Sequence, residues 1–236
     1  MNITRSLYRG YRFPAEIISY CVWLYFRFSV SYRDIEELMA ERGVTVTYES
    51  IRAWCYKFGQ GYAKRIRARR GKLGDTWHLD EMYLKIDGRF QYLWRAVDQD
   101  GSVLDILVQP RRDKEAAARF FKKLLRGATH APRVVVTDRL ASYIAPCAEL
   151  LPNTMHRRDK GLNNRAESSH QSTRERERRM RGFKSAAHAQ RFRSIFGLIA
   201  DLFSVGRHLL SAPNYRLLLS RWFIEWRTIA GVPAGA

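Results

Sequence analysis

Cysteine is scarce in this sequence, and its placement excludes two common kinds of stabilised domain. Three cysteines occur in 236 residues, as Cys21, Cys55 and Cys147. Their odd number and wide spacing, without a Cys-x-x-Cys pair, argue against a disulfide framework and against a zinc site. We therefore expect a protein of a reducing compartment, the cytoplasm.

Long hydrophobic runs are lacking as well. The apolar stretch at residues 17–26 is too short to cross a bilayer, and Arg27 follows it directly. Arginines and a glutamate precede the stretch and no small-residue cleavage site follows it, which argues against a signal peptide. The stretch predicts a buried helix, and no membrane is expected among the partners.

Acidic residues are few compared with basic ones. The chain has 42 Lys+Arg against 23 Asp+Glu, a formal net charge of +19. Such a chain binds polyanions through phosphate contacts and the release of counterions. Nucleic acid is the expected partner, and a ribosome-associated or merely basic protein is the alternative.

Residues 1–62 are predicted to form a helical domain. The pattern indicates three helices, at 15–28, 31–42 and 47–58, and Ser31 is a candidate N-cap. The second and third helices, joined by a turn containing glycine, are typical of a helix-turn-helix DNA-binding domain. A small helical bundle without a role in DNA binding would give the same pattern.

Several exposed positions of this domain could reach a DNA groove. The predicted contacts are Thr47, Tyr48, Ser50, Arg52 and Lys57. Residues 63–75 then form a predicted basic linker, either simply solvated or following DNA phosphates, and these two readings are compatible. Its candidate phosphate contacts are Arg67, Arg69 and Arg70.

From residue 76 to 184 the pattern predicts an α/β catalytic core. The predicted strands are 76–86, 90–97, 102–109 and 134–136, with helices at 114–126 and 139–150, the second broken around Pro146. A helix between two strands implies a parallel crossover. The order strand, strand, strand, helix, strand, helix, short strand, helix is that of a ribonuclease-H-like fold. Residues 185–236 are predicted to be a C-terminal helical segment, either a cap over the core or a dimer surface.

Three acidic residues stand where metal ligands would be useful. Asp80 and Asp138 lie at predicted strand ends and Glu167 at the start of a basic helix. If the two strands are parallel neighbours, both aspartates meet at one edge of the sheet, and a helix across that edge could add the glutamate. Three carboxylates with open positions suit Mg²⁺. Two such ions, roughly 4 Å apart, can drive phosphoryl transfer.

Ordinary roles for these residues are the alternative. A single Asp at a strand end is often a turn or cap residue, and a Glu on a basic helix often pairs with a basic residue four positions away. Glu81 is left out of the acidic set because neighbouring residues of a regular strand point to opposite faces.

Four arginines near Glu167 could hold DNA phosphates close to the metals. They are Arg165, Arg174, Arg178 and Arg181. Arg174 follows Glu167 by two helical turns and is expected on nearly the same face. A solvated basic face, interleaved with Glu175 and Glu177, is the alternative.

Four segments together resemble the DDE transposases of bacterial insertion sequences, and among these the insertion sequence six family. The segments are residues 77–98, Val-Thr-Asp138, residues 163–170 and residues 178–184. The resemblance covers nearly the whole chain, including the N-terminal helices and the basic linker. The interval between Asp138 and Glu167 is shorter than in many relatives, a departure that concerns the loop and the short fifth strand.

The resemblance implies a catalytic triad of Asp80, Asp138 and Glu167 that binds Mg²⁺, for which Mn²⁺ can substitute. It implies an enzyme that cuts double-stranded DNA at terminal inverted repeats to give a 3′-hydroxyl. That hydroxyl then attacks target DNA, in replicative transposition that forms cointegrates. Arg174 takes the place of the family's basic residue after the glutamate. A homodimer or higher homo-oligomer is expected, since two ends must be paired.

Two other functions remain open at this point. One is a related integrase or nuclease with the same carboxylates. The other is a DNA-binding regulator whose ribonuclease-H-like core is inactive, against which the intact triad argues.

Overall fold

The computed structural model describes residues 7–71, 73–159, 161–180, 182–204 and 210–232, and within these ranges it leaves aside the side chains of residues 162, 164–169, 172 and 173. The helices are α1 (Ala15–Arg27), α2 (Tyr32–Glu41), α3 (Tyr48–Arg69), α4 (Lys114–Gly127), α5 (Ile144–Leu150), α6 (Asn164–Arg179), α7 (Ala186–Leu202) and α8 (Ala212–Ala230). The strands are β1 (Thr76–Ile86), β2 (Arg89–Asp98), β3 (Val103–Gln109), β4 (Val134–Thr137) and β5 (Met155–Arg158).

The chain divides into two compact units. The helical unit comprises Met1–Arg69 and Ile195–Ala236, and the sheet unit comprises Arg70–Ser194. Helix α7 contributes residues to both. None of the helices in the described ranges is long and apolar enough to cross a membrane.

The first two helices of the helical unit form for the reasons that the sequence suggests. The apolar run predicted as a buried helix is α1, in which Ile18, Cys21 and Val22 are fully buried. At the start of α2 the Ser31 hydroxyl accepts from the Asp34 N–H, while the Asp34 carboxylate accepts from the Ser31 N–H. This reciprocal capping box satisfies two backbone donors and fixes the first residue of the helix.

The third helix is longer than the sequence predicts. Instead of ending at residue 58, α3 continues to Arg69, so that much of the predicted basic linker is helical. Tyr62 and Ile66 extend its buried stripe, and the intervening lysine and arginine residues favour helix on the exposed side. Gly59 lies inside this helix, where a Cβ would lie 3.0 Å from a side-chain atom of Ile195 and 3.1 Å from one of Phe26.

Helix α8 packs against α1 and α3 within the helical unit. The Arg65 guanidinium donates to the Ile229 carbonyl at 2.9 Å. Arg69 makes two hydrogen bonds to the Glu225 carboxylate, at 2.6 and 3.1 Å. The C-terminal end of α3 is therefore tied to α8 by charged and polar contacts as well as by apolar packing.

The sheet unit contains a five-stranded mixed sheet with the strand order β3-β2-β1-β4-β5. The first three strands are antiparallel neighbours, joined by short turns, and β4 and β5 add parallel pairs on the other side of β1. The β1–β2 turn uses positive φ angles at Asp87 and Gly88, as a two-residue hairpin requires. The predicted α/β, ribonuclease-H-like fold is confirmed, and the fifth strand is present despite the short interval.

One face of this sheet carries the core. Trp77, Leu79 and Trp94 point to the same side, since they alternate with the residues that face away. Helix α4 and the segment after β4 cover them. The fully buried residues that those elements contribute are Ala116, Ala117, Phe120, Phe121, Tyr143 and Cys147.

The prediction that the helix at residues 139–150 is broken around Pro146 is wrong, because Pro146 lies inside a continuous helix. A single 3-10 turn at Ala141–Tyr143 leads directly into α5, and Pro146 lies in the first turn of that helix. Proline is tolerated there because the first N–H groups of a helix have no partner within the helix.

Candidate active site

Strand pairing brings two of the predicted acidic residues together. β1 and β4 are parallel neighbours whose last pair is Leu79 with Thr137. Asp80 and Asp138 each follow that pair by one residue, so both lie where the pairing of the two strands ends. Asp138 follows the end of β4 as predicted, but the expectation that Asp80 lies at a strand end is wrong, because β1 continues to Ile86. The expected convergence of these aspartates is therefore present, and it follows from strand order alone.

Glu81 joins them, contrary to the sequence-based expectation. Asp80, Glu81 and Asp138 each offer one oxygen, and these oxygens all lie within 4.8 Å of one another. Alternation itself holds, because Asp80 faces His170 of α6 while Glu81 faces Tyr143 on the opposite side. The alternation does not keep Glu81 apart from the aspartates, because β4 ends at Thr137 and no strand lies beside β1 on that side from Asp80 onward.

The Glu81 carboxylate is held by two partners. Arg112 Nη2 lies 2.5 Å from Glu81 Oε1, and Arg112 Nε donates to the same oxygen at 2.6 Å. The Tyr143 hydroxyl donates to Oε2 at 2.5 Å. Burial raises the pKa of Glu81, while Tyr143 and Arg112 act in the opposite direction. Both oxygens of Glu81 are therefore engaged within the protein.

Asp138 has one engaged oxygen and one that faces the cleft. Its Oδ1 accepts from the Leu140 N–H at 2.9 Å, the turn-forming role that was the ordinary alternative for this residue. Its Oδ2 lies 3.7 Å from Arg112 Nη2. Asp138 can therefore shape the turn with one oxygen and present the other to a ligand.

Helix α6 contacts β1 at Leu79 and Asp80. The Asn163 side-chain amide, just before the helix, donates to the Leu79 carbonyl at 2.8 Å. Farther along, His170 Nε2 lies 3.3 Å from Asp80 Oδ2, and only 3% of the His170 side chain is exposed. Burial lowers the pKa of His170, and the Asp80 carboxylate opposes that shift. These two contacts fix the start of α6 beside Asp80.

The third predicted acidic residue is placed only in part. Glu167 belongs to α6, three residues before His170, and its side chain lies outside the described residues. The same is true of the Arg165 side chain, and Arg181 lies outside them altogether. Arg174 and Arg178 are exposed on α6.

The acidic residues line an open cleft of about 930 Å³. Arg174 lines it too, as the sequence predicted for a residue near the carboxylates, and Arg112 and Arg139 were not foreseen. Arg112 lies between β3 and α4, in a segment without a recognisable motif, so no local pattern indicates its role. Asp80 and Asp138 offer oxygen atoms that a cation could bind, and the arginines beside them could pair with phosphate groups of a ligand.

The remaining predicted DNA contacts lie mainly on α3. Thr47, Arg52 and Lys57 are exposed, and Tyr48 and Ser50 are half-buried. Arg67 is half-buried, Arg69 pairs with Glu225, and Arg70 donates to the Val103 carbonyl at 3.0 Å. Arg69 and Arg70 therefore have structural roles that the sequence does not reveal.

Comparison with known proteins gives a consistent result. A family model described as a DDE domain matches residues 74–205. The transposase for insertion sequence-like element IS431mec of Staphylococcus aureus is 32% identical over 186 residues, covering 77% of this chain and 83% of that protein. The transposase of element IS257 in transposon Tn4003, also from Staphylococcus aureus, is 31% identical over the same shares of the two chains.

Comparison with solved structures also matched retroviral integrases over part of this chain. The catalytic core domain of BIV integrase has a TM-score of 0.37 and 15% identity, over 65% of this chain and 99% of that one. The HTLV-2 integrase catalytic core domain in complex with magnesium has a TM-score of 0.32 and 20% identity, over 42% of this chain and 69% of that one.

Proposed function

This chain belongs to the DDE transposases of the insertion sequence six family, and from that premise we propose that it cuts DNA at the terminal inverted repeats of an insertion sequence. Cutting would free a 3′-hydroxyl, which then attacks target DNA in a replicative reaction that forms cointegrates. The observation that carries the proposal is the meeting of Asp80 and Asp138 where the parallel pairing of β1 and β4 ends, beside the helix that bears Glu167.

The residues at this edge fit a hard divalent cation. Mg²⁺ prefers carboxylate oxygens and keeps open positions for water and phosphate, and Mn²⁺ accepts the same donors. Asp80 and Asp138 would be ligands, and Glu167 would complete the set from α6. When bound, the ions would lower the pKa of the attacking hydroxyl and stabilise the leaving oxygen.

The surrounding residues would position these ligands. Asn163 and His170 hold α6 against β1, which keeps the Asp80 carboxylate and position 167 at the same edge. Glu81, already bonded by Arg112 and Tyr143, would set the position of Arg112 rather than bind the metal. Arg174, exposed in the cleft, would bind a DNA phosphate near the carboxylates, because a guanidinium matches two phosphate oxygens.

Recognition of the element ends would fall to the helical unit. Helices α2 and α3 with the turn between them would serve as the helix-turn-helix, a role supported by the exposure of Arg52 and Lys57 on α3. Phosphate contacts from this strongly basic chain would add affinity that falls with salt. A homodimer or larger assembly would be needed to bring two ends together.

The test is a strand-transfer assay with Mg²⁺ and donor DNA that carries the element ends. Wild-type protein should join donor to target, and Asp138→Asn should bind the ends without cutting them. The matched control is Glu115→Gln, which removes an exposed carboxylate from the start of α4 and should keep wild-type activity. End binding without cutting by the wild-type protein would instead identify a DNA-binding regulator, and wild-type cutting by Asp138→Asn would refute the proposed site.

A further inference from the structure

Three aromatic side chains, two of them exposed and one half-buried, form a cluster on the β1–β2 hairpin. We call Tyr83, Phe90 and Tyr92 the hairpin rings. The Tyr83 ring lies 5.2 Å from that of Tyr92 and 6.0 Å from that of Phe90, measured between centroids. Tyr83 is 58% exposed and Phe90 is 63% exposed, although both belong to regular strands. The hairpin therefore presents the rings of Tyr83 and Phe90 to solvent, while Tyr92 packs against the core.

The position of the hairpin rings relates them to the acidic cleft. Tyr83 lines that cleft together with Asp80 and Asp138. It follows Glu81 by two residues and so lies on the same face of β1. At the rise of a β-strand its backbone is ~10 Å from that of Asp80, so it lies within reach of nucleotides next to a phosphate held at the carboxylates. A strand with its scissile phosphate at the carboxylates would thus pass over the hairpin rings.

The charges around the rings favour a nucleic acid as the occupant. Lys85 and Arg89 are exposed on the same hairpin, and Asp87 at its turn is the acidic residue among them. Arg112 and Arg174 line the adjacent cleft. Aromatic rings for bases combined with basic side chains for phosphates are what proteins use to bind single-stranded nucleic acid.

Packing within the hairpin does not account for this exposure. Tyr83 pairs directly with Tyr92 across the strands, and such a pair stabilises a hairpin. Phe90, however, faces Lys85 in the register and leaves most of its ring in water. The register of the hairpin thus gives the exposed Phe90 ring no cross-strand aromatic partner, which leaves it available for a ligand.

We propose that the hairpin rings bind unpaired bases of the DNA next to the scissile phosphate. This inference rests on the proposed function and adds a feature of its substrate: the strands are separated beside the cutting site, and the released bases stack on Tyr83 and Phe90. Stacking tolerates any base, since every base has a π face.

The test compares the binding of two DNA substrates in EDTA, so that it does not depend on cutting. Both carry the element end, one fully paired and the other with a short mismatched segment beside the cutting site. Wild-type protein should prefer the mismatched DNA. Tyr83→Ala and Phe90→Ala should each weaken its binding by about tenfold, the order expected for one stacked base, and change binding of the paired DNA less than about twofold. Tyr83→Phe should retain the preference.

Two controls keep the outcome decisive. Ile224→Ala removes a side chain that is 64% exposed on α8 of the helical unit, and it should leave both affinities unchanged. 5-Iodouracil placed in the mismatched segment should crosslink to Tyr83 or Phe90. If the alanine variants weaken the binding of both DNA substrates equally, the hairpin rings have a merely structural role. If Tyr83→Ala shifts the protein from dimer to monomer and the preference for mismatched DNA remains, a second copy of the chain occupies the hairpin rings. Either result overturns the inference, while leaving the strand-transfer test intact.

Discussion

The hydrogen bond from Tyr143 to Glu81 allows a quantitative test of the cleft's architecture. Tyr143 is fully buried, and its hydroxyl donates to Glu81 Oε2, on a side chain that is only 1% exposed. Tyr143→Phe removes that donor and creates no cavity of consequence, because the ring stays. What remains is a buried carboxylate oxygen without its partner.

The expected loss can be worked out from the type of bond. A hydrogen bond to a buried charged group contributes about 1.5–3 kcal/mol, so Tyr143→Phe should lower the free energy of unfolding by that amount at neutral pH. Arg112 still bonds to the other oxygen of Glu81. For this reason we expect the lower half of that range.

The loss should also depend on pH. Burial raises the folded-state pKa of Glu81, and Tyr143 is among the influences that lower it. When folding raises the pKa of a carboxyl group, that group stabilises the folded state fully at pH values below the pKa of an ordinary glutamate. This stabilisation is lost as the pH rises through the pKa in the folded state. Tyr143→Phe raises the folded pKa of Glu81 further. The difference from wild type should therefore be largest above that pKa and shrink below it.

The assay is urea unfolding of wild type and variant across a pH series without divalent metal. Tyr83→Phe is the matched control, since it removes the hydroxyl of an exposed tyrosine on β1 and should change stability by less than about 0.5 kcal/mol. If Tyr143→Phe is as stable as Tyr83→Phe at neutral pH, the Tyr143–Glu81 bond does not exist as described.

Three further predictions concern packing and capping. Ser31→Ala should cost about 0.5–2 kcal/mol of unfolding free energy by removing half of the capping box, measured by urea unfolding. Gly59→Ala should destabilise by about 1–3 kcal/mol despite alanine's higher helix propensity, because a Cβ there would lie 3.0 and 3.1 Å from atoms of two neighbouring side chains; a more stable variant would contradict this. Asn163→Ala should cost about 1–3 kcal/mol by leaving the buried Leu79 carbonyl without its 2.8 Å donor, and it should raise the Mg²⁺ concentration needed for strand transfer. An unchanged Mg²⁺ requirement would show that this bond does not position α6.

The sequence predicted the parts of the site that depend on strand order. The helix predicted between two strands indicated a parallel crossover. With that crossover, the convergence of Asp80 and Asp138 required only that their strands be neighbours, and the sheet order meets this condition. The capping box of α2 and the turn of the β1–β2 hairpin were likewise predictable, because each depends on a few adjacent residues.

The parts that escaped prediction depend on contacts between distant residues. Glu81 lines the cleft because β4 ends at Thr137, just before Asp138. The alternation of residues along a strand does not indicate where a neighbouring strand ends. Arg112 reaches Glu81 from a segment with no motif. Arg69 reads as a phosphate contact in a basic run, yet it pairs with Glu225, which lies far along the chain on α8. A local pattern describes none of these partners.

The most direct test of the account is to identify the carboxylate that completes the metal site. Mn²⁺ binding, followed by electron paramagnetic resonance, should be measured for wild type, Asp138→Asn, Glu167→Gln and Glu81→Gln. The account predicts that Asp138→Asn and Glu167→Gln each weaken Mn²⁺ binding by at least about tenfold, because even the loss of a residue that only supports a metal ligand typically lowers metal affinity by that factor. Glu81→Gln should stay near the wild-type affinity, because both oxygens of Glu81 are already bonded to Arg112 and Tyr143. Loss of binding in Glu81→Gln, with binding retained in Glu167→Gln, would contradict the assignment and make Glu81 the third ligand.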